Sequence, residues 1–233
     1  MDIHREINLF KYAEQAQRIL STEGISFYDN GFPDLTKFEY IKEAPEDIEL
    51  WPYNKRNQVA NPRKTVLTFF EPDPSLYGYL NTLDKVASNL SIYYAVTGFD
   101  LSPCLDSPIP EQHAALLLNA LTNGLFLVHG IRMIPSLRTG GVATLPALKS
   151  YPKNICYAFG ALGCNQKFQN IGRMLLNIKL ALSEPSQILA YGKLSATDAG
   201  IFSNWNIPVV NRLDYQATTR KRTKERRRQN VRL

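Results

Sequence analysis

Short apolar runs alternate along the chain with longer segments in which apolar residues recur every three or four positions. The apolar runs are typical of strands buried on both faces, because they lack the regular polar alternation of a half-exposed strand. The longer segments predict amphipathic helices. We predict strands at 66–70, 90–96, 131–134, 155–159, 188–191 and 207–210. We predict helices at 5–20, 76–86, 111–128, 143–150, 168–183 and 197–202.

The repeated order of strand and helix predicts an α/β fold with a parallel sheet. Five or six βα units are compatible with an open doubly wound sheet and with an incomplete TIM-like barrel, and the pattern does not choose between them. We assign the α/β domain to residues 64–214. Residues 1–63 are expected to supply an N-terminal helix and an irregular lead-in that packs on the core. This lead-in is rich in Pro, Gly, Asp and aromatic residues.

The composition is that of a globular protein. Of the 233 residues, 44% are hydrophobic and 21% are charged, which excludes global disorder. No apolar stretch approaches the roughly 18 residues of a membrane span, and the charged start of the chain is unlike a signal peptide. Three widely spaced cysteines offer no disulfide framework. We therefore expect a cytoplasmic protein that makes no contact with a membrane.

The positive charge of the chain is concentrated at its C-terminus. The formal net charge is +6, whereas residues 220–233 hold eight basic residues and one acidic residue, Glu225. The remaining 19 basic and 20 acidic residues leave the domain close to neutral. The basic residues of this segment are Arg220, Lys221, Arg222, Lys224, Arg226, Arg227, Arg228 and Arg232.

This composition predicts that residues 215–233 form a disordered tail that binds nucleic acid. The tail is polar and lacks apolar periodicity. Clustered arginines neutralise phosphates and release counterions, which gives salt-sensitive affinity for DNA or RNA. The alternatives are a solubilising or localisation tail and a patch for an acidic protein. The absence of apolar anchors from the tail sequence argues against a membrane surface.

Candidate chemistry lies in the loops that follow the predicted strands, where parallel α/β proteins bind their ligands. Asp73 follows the first strand, Asp100 and Ser102 follow the second, and Arg138 follows the third. Asp73 and Asp100 are candidate metal ligands or bases, and Arg138 is a candidate clamp for an anion such as a phosphate. Loops also favour these residue types for solubility and turn geometry, so a purely structural role is the alternative.

No motif in the sequence identifies a cofactor. The chain contains neither a GxGxxG fingerprint nor a P-loop, and its three histidines do not have zinc-binding spacing. We therefore predict no evident cofactor and leave open a divalent metal at the strand ends.

A series of short motifs runs in order from residue 52 to residue 192. The motifs are Pro52-Tyr53-Asn54, Phe69-Phe70 with Asp73, Asp100-Leu101-Ser102, Gly130 to Pro135 with Arg138 and Gly140, Pro152-Lys153-Asn154, and Tyr191-Gly192. In order and spacing they resemble domain-of-unknown-function family four-four-one-seven, which occurs in bacteria, archaea, phages and prophages. The resemblance implies a prokaryotic or phage origin and supplies no known reaction. The chain departs from the family beside Arg138, with Ser136, Thr139 and Gly141 where the family has Asn, Trp and Asp.

These features predict a phage or mobile-element accessory protein that associates with nucleic acid through its arginine-rich tail. One alternative is an enzyme that acts on a phosphorylated or nucleotide-like substrate at the strand ends. A second alternative is a protein–protein module that inhibits or recruits a host nucleic-acid-processing enzyme.

Overall fold

Helices and strands alternate through most of the chain in a computed structural model that describes residues 8–161 and 169–220. The helices are α1 Leu9–Thr22, α2 Asp73–Leu80, α3 Leu83–Ser88, α4 Ile109–Val128, α5 Gln169–Ser183 and α6 Ala196–Asn204. The strands are β1 Glu49–Pro52, β2 Thr65–Thr68, β3 Ala95–Thr97, β4 Met133–Ile134, β5 Cys156–Gly160, β6 Gln187–Tyr191 and β7 Val209–Arg212. Three 3₁₀ helices span Tyr53–Gln58, Pro62–Lys64 and Val142–Ser150.

The strands are parallel and follow one another in chain order. Strands β1 to β4 form one sheet and β5 to β7 form a second. The two sheets join just after β4, where the amide of Leu137 donates to the carbonyl of Ala158 at 3.0 Å and the amide of Ala158 donates to the carbonyl of Pro135 at 2.8 Å. A doubly wound sheet reverses its strand order, whereas this order is the one found in a barrel.

One apolar cluster receives side chains from all seven strands, which shows that they curl around a common axis. Its members from the strands are Leu50, Val66, Ala95, Ile134, Cys156, Ala158, Leu189, Tyr191 and Val210. The guanidinium of Arg212, at the end of β7, donates to the carbonyls of Glu46 and Ile48 ahead of β1. This side chain connects the last strand to the segment that leads into the first strand. The fold is therefore an incomplete TIM-like barrel, which decides between the two predicted architectures.

The helices cover the outside of the barrel because alternate strand residues point away from its axis. Leu67, Val96 and Met133 pack outward into a cluster that includes residues of α1 and α4. Tyr157 and Ile188 pack outward into a second cluster with residues of α5 and α6. The predicted α/β class is confirmed, and each of the six predicted strands overlaps an observed one. Of the strand predicted at 90–96, only Ala95 and Val96 are extended, and the helix predicted at 143–150 is a 3₁₀ helix. The predicted helix at 76–86 is divided into α2 and α3.

The predicted irregular lead-in contains a strand that the sequence pattern does not reveal. Strand β1 pairs with β2 from Glu49 opposite Thr65 to Pro52 opposite Thr68. The strand has only four residues and ends in a proline, so it carries too few positions to show a period. Helix α1 packs on α4, where the hydroxyls of Tyr12 and Thr122 lie 2.8 Å apart. The first 63 residues thus supply part of the barrel as well as its covering.

The start of the predicted tail is ordered against the domain, which corrects the expectation of disorder for residues 215–220. These six residues are helical. The carboxylate of Asp214 accepts from the amide of Ala217 at 2.9 Å, as an N-cap does. Residues 221–233, which hold seven of the eight basic residues of the tail, lie outside the described residues. Within 8–161 and 169–220, no helix is long and apolar enough to cross a membrane.

Candidate functional site

The four residues proposed from the sequence as a catalytic site form one group at the C-terminal ends of β2, β3 and β4. The amide of Ser102 donates to the carboxylate oxygens of Asp73 at 3.2 and 3.3 Å. The guanidinium of Arg138 donates two hydrogen bonds to the carboxylate of Asp100, one from Nε to Oδ1 at 3.0 Å and one from an amino group to Oδ2. We call Asp73, Asp100, Ser102 and Arg138 the rim cluster. Its formation follows from the parallel sheet, which brings successive βα loops to the same edge.

Asp100 and Arg138 form an ion pair that is open to solvent on one side only. The side chain of Asp100 is 1% exposed and that of Arg138 is 34% exposed. Burial raises the pKa of Asp100 above its ordinary value, and the nearby Asp73 carboxylate adds to this effect. The guanidinium of Arg138 and a hydrogen bond from Ser136 oppose the rise. Because Arg138 occupies both oxygens of Asp100, this carboxylate is poorly placed to bind a metal ion.

Three buried amide side chains of α4 hold the loops that carry the cluster. The Asn123 side chain accepts from the amide of Phe99 at 2.7 Å. The Asn119 side chain accepts from the amide of Leu101 at 2.8 Å and donates to the carbonyl of the same residue at 3.0 Å. Asp100 therefore lies between two backbone positions that α4 fixes. A buried amide with both of its polar ends paired orients the loop without leaving an unsatisfied group.

The third amide, Gln112, fixes the loop that carries Arg138. Its carbonyl oxygen accepts from the amide of Gly141 at 2.7 Å, and its amino group donates to the carbonyl of Ser107 at 2.7 Å. A Cβ atom added at Gly140 would lie 2.0 Å from the Gln112 Oε1 atom. Glycine at position 140 is therefore a condition for this close approach.

The sequence pattern of α4 contains a signal that sequence reasoning did not use. Gln112, Asn119 and Asn123 are buried within an otherwise largely apolar helix, at spacings of seven and four residues that place them along one face. Amides on the buried face of a helix require polar partners. In a parallel α/β fold, the available partners are the βα loops at the end of the sheet.

Glu71 provides a further buried carboxylate beside the cluster. Its two oxygens accept from the amide of Asn54 at 2.8 Å and from the hydroxyl of Tyr79 at 2.8 Å. These bonds tie the 3₁₀ helix after β1 to α2. The described partners of Glu71 indicate a structural role.

Among the described residues, a small cavity adjoins the rim cluster. A cavity of about 20 Å³ lies behind Arg138, between Asn119, Asn123, Ser136 and Tyr151, and this is room for about one water molecule. In the described part of the chain, no three His, Cys, Asp or Glu residues come together in a group that could hold a metal ion. A shallow depression of about 430 Å³ lies at the opposite end of the barrel, beside Phe38 and Lys153.

Tyr215 fixes the start of the C-terminal helical segment to the same end of the barrel. Its amide donates to the hydroxyl of Tyr191, at the end of β6, at 3.0 Å. Its own hydroxyl donates to the side chain of Gln58 at 2.9 Å. Its ring lies 5.4 Å from the ring of Trp51 in an edge-on arrangement. Contacts to β1, β6 and the 3₁₀ helix after β1 therefore place residues 215–220 at the barrel mouth.

Of the eight residues predicted to bind nucleic acid, one is within the described part of the chain. Arg220 is exposed at the last described position of the helical segment. The others, which are Lys221, Arg222, Lys224, Arg226, Arg227, Arg228 and Arg232, lie outside the described residues.

Comparisons of the chain with protein-family models, with curated proteins and with solved structures find no match. The resemblance to a domain-of-unknown-function family, drawn from short motifs, therefore stays a prediction.

Proposed function

We propose that the protein binds nucleic acid through its basic C-terminal tail, with the mouth of the barrel facing the bound nucleic acid. The observation that carries this proposal is the docking of Tyr215 against Trp51 and Tyr191. The helical segment that starts there ends, within the described residues, at Arg220, the first basic residue of the tail. Parallel α/β proteins bind their ligands at this end of the barrel.

The mechanism of binding is neutralisation of phosphates by lysine and arginine. Residues 220–233 carry a net charge of +7, from eight basic residues and Glu225. Fully extended, 14 residues span at most about 50 Å, which is enough to follow several nucleotides. Each neutralised phosphate releases a counterion, so affinity falls as salt rises. The nearly neutral domain contributes little to this salt-dependent part of the affinity.

The experiment that tests the proposal replaces the charges of the tail and leaves its length unchanged. Arg222, Lys224, Arg226, Arg227 and Arg228 are substituted by Gln in one variant. Binding of a fluorescent oligonucleotide is then compared with the parent chain by anisotropy. We expect the variant to lose most of its affinity at low salt. Equal affinity of the two chains contradicts the proposal. A matched variant with five exposed basic residues of the domain replaced, at Lys11, Arg18, Lys37, Lys85 and Lys149, is expected to bind like the parent.

A second candidate is an enzyme acting on a phosphorylated or nucleotide-like substrate. It is favoured by the guanidinium of Arg138, which is partly exposed beside the half-buried Asp73 at the ligand-binding end of the barrel. The probes are ATP and p-nitrophenyl phosphate with Mg²⁺. Turnover that is lost in Asp73→Asn, with unchanged thermal stability, supports this candidate. Absence of turnover with both probes removes the support for it.

The third option, a protein–protein module, predicts stoichiometric binding to a nucleic-acid-processing enzyme without affinity for free oligonucleotides. The proposed setting in a phage or mobile element rests on the motif resemblance alone.

A further inference from the structure

The mouth of the barrel contains an aromatic pair whose position is not required by the rim cluster. The ring of Phe70, two residues beyond the end of β2, stacks on the ring of Tyr191 with centroids 5.8 Å apart and planes inclined by 20°. Two carbon atoms of its ring lie 3.2 Å from the point where a Cβ atom would stand on Gly160. Strands β5 and β6 are not neighbours of β2. The side chain of Phe70 therefore crosses the opening of the barrel.

Phe70 has the exposure expected of a platform. Tyr191 beneath it is 3% exposed, whereas Phe70 itself is half-buried. One face of the Phe70 ring is covered by Tyr191, and the residue as a whole is only partly buried. Gly160 carries no side chain that would compete with the ring for this space.

The aromatic pair is joined directly to the anchor of the tail. The hydroxyl of Tyr191 accepts from the amide of Tyr215, which begins the C-terminal helical segment. Arg220 follows five residues later, about 7.5 Å further along a helix. Phe70 and the first basic residue of the tail are therefore held by the same short series of contacts.

We propose that Phe70 is a base-stacking platform and that the ligand of the protein is single-stranded nucleic acid. This inference rests on the proposed function and names its substrate class. Single-strand binding proteins combine a basic track for phosphates with aromatic side chains on which bases stack. The bases of a duplex are already stacked on one another. A ring set in the mouth of a barrel is reached by a splayed base of a single strand.

The test compares Phe70→Leu, which keeps apolar volume over Gly160 but removes the ring, with Phe38→Leu at the opposite end of the barrel. Phe38 is also half-buried. The full chain is titrated with a 15-nucleotide oligothymidylate and with a duplex of 15 base pairs at the same salt concentration. We expect Phe70→Leu to weaken single-strand binding about fivefold to a hundredfold, the range for loss of one stacked base. Duplex binding by this variant, and both affinities of Phe38→Leu, are expected to stay within twofold of the parent.

A second variant separates loss of stacking from damage to the barrel. Phe70→Tyr keeps the ring and is expected to keep the single-strand affinity. We expect the parent and Phe70→Tyr to quench the fluorescence of 2-aminopurine placed in the oligonucleotide. We expect Phe70→Leu not to quench it. Unchanged single-strand affinity in Phe70→Leu overturns the inference and leaves the proposed function intact. Equal losses of affinity for the single strand and for the duplex in Phe70→Leu also overturn the inference. Failure of the parent chain to bind either oligonucleotide overturns both the inference and the proposed function.

Discussion

The amide of Tyr215 donates a hydrogen bond to the hydroxyl of Tyr191 at 3.0 Å, and this bond joins the end of the barrel to the start of the basic tail. Tyr191 is the last residue of β6, and its side chain points into the barrel, where it stacks on Phe70. Residues 215–220 thus lie beside the barrel mouth, at the end where parallel α/β proteins hold their ligands.

The Tyr215 ring is expected to contribute to the stability of the barrel. Tyr215→Ala removes the edge-on contact with Trp51, and we expect it to lower the free energy of unfolding by about 1–2 kcal/mol. Tyr215→Phe keeps the ring and loses only its hydrogen bond to Gln58, so its loss is expected to be below about 1 kcal/mol. Urea denaturation measures both variants. Equal losses would contradict the importance of the ring contact.

The ion pair between Arg138 and Asp100 is expected to hold two loops together. Arg138→Met leaves a buried carboxylate without its partner, and we expect a loss of about 3–5 kcal/mol in the free energy of unfolding. The control is Lys153→Met, which breaks an exposed pair with Glu184 and is expected to cost at most about 1 kcal/mol. A loss in Arg138→Met no larger than in the control would show that the carboxylate is not buried as described.

The pKa of Asp100 predicts how the stability difference between the parent and Asp100→Asn changes with pH. Burial raises the pKa of Asp100 above the ordinary value of 3.8, so the folded protein takes up the proton before the unfolded chain does. The contribution of Asp100 to stability is fully present below the unfolded value and is lost as pH rises through the folded pKa. We expect the parent to gain stability relative to Asp100→Asn as pH falls from 7 toward 3.8.

The matched control for this pH dependence is Asp47→Asn. The hydrogen bond from Lys64 lowers the pKa of Asp47, which predicts a change of the opposite sign on acidification. Urea denaturation at a series of pH values measures the stability of the parent, Asp100→Asn and Asp47→Asn. If the parent instead loses stability relative to Asp100→Asn on acidification, the ion pair with Arg138 outweighs burial. The pKa of Asp100 is then lowered and not raised.

Gly140 is expected to be essential for the packing of Gln112. Gly140→Ala places a methyl group 2.0 Å from the Gln112 Oε1 atom and displaces the side chain that holds Gly141. We expect a loss of about 1–3 kcal/mol in the free energy of unfolding. The control is Gly78→Ala in α2, where an added Cβ would meet no atom within 4 Å apart from its chain neighbours and the helix's own backbone. Alanine favours the helix there by about 0.5–1 kcal/mol. A neutral Gly140→Ala would contradict the close approach.

The strands and the strand-end residues are predictable from the sequence because buried parallel strands form apolar runs that glycine and proline terminate. The runs around Val66, Cys156 and Ile188 lie in strands β2, β5 and β6. Because all strands are parallel, Asp100 and Arg138 had to meet at one edge. The direct ion pair between them was not predictable, because the order of residues in the sequence does not give the distance between two loops.

Other features depend on contacts that have no local signal. Strand β1 is too short to show a period, and its pairing with β2 identifies it. The buried amides Asn119 and Asn123 become interpretable once α4 is known to lie against the loop after β3. The order of residues 215–220 arises from the contact of Tyr215 with Trp51, which lies 164 positions earlier in the chain. Low hydrophobicity alone predicted disorder there.

The most direct test of the proposed function is the salt dependence of oligonucleotide binding by the full chain and by a chain that ends at Thr219. The shorter chain keeps the Tyr215 anchor and removes all eight basic residues of the tail. We predict that only the full chain binds at low salt, and that log affinity falls with log salt with a slope no steeper than about −6 for a single strand, the value for eight neutralised phosphates. Equal binding by both chains, or affinity that does not change with salt, would contradict the account.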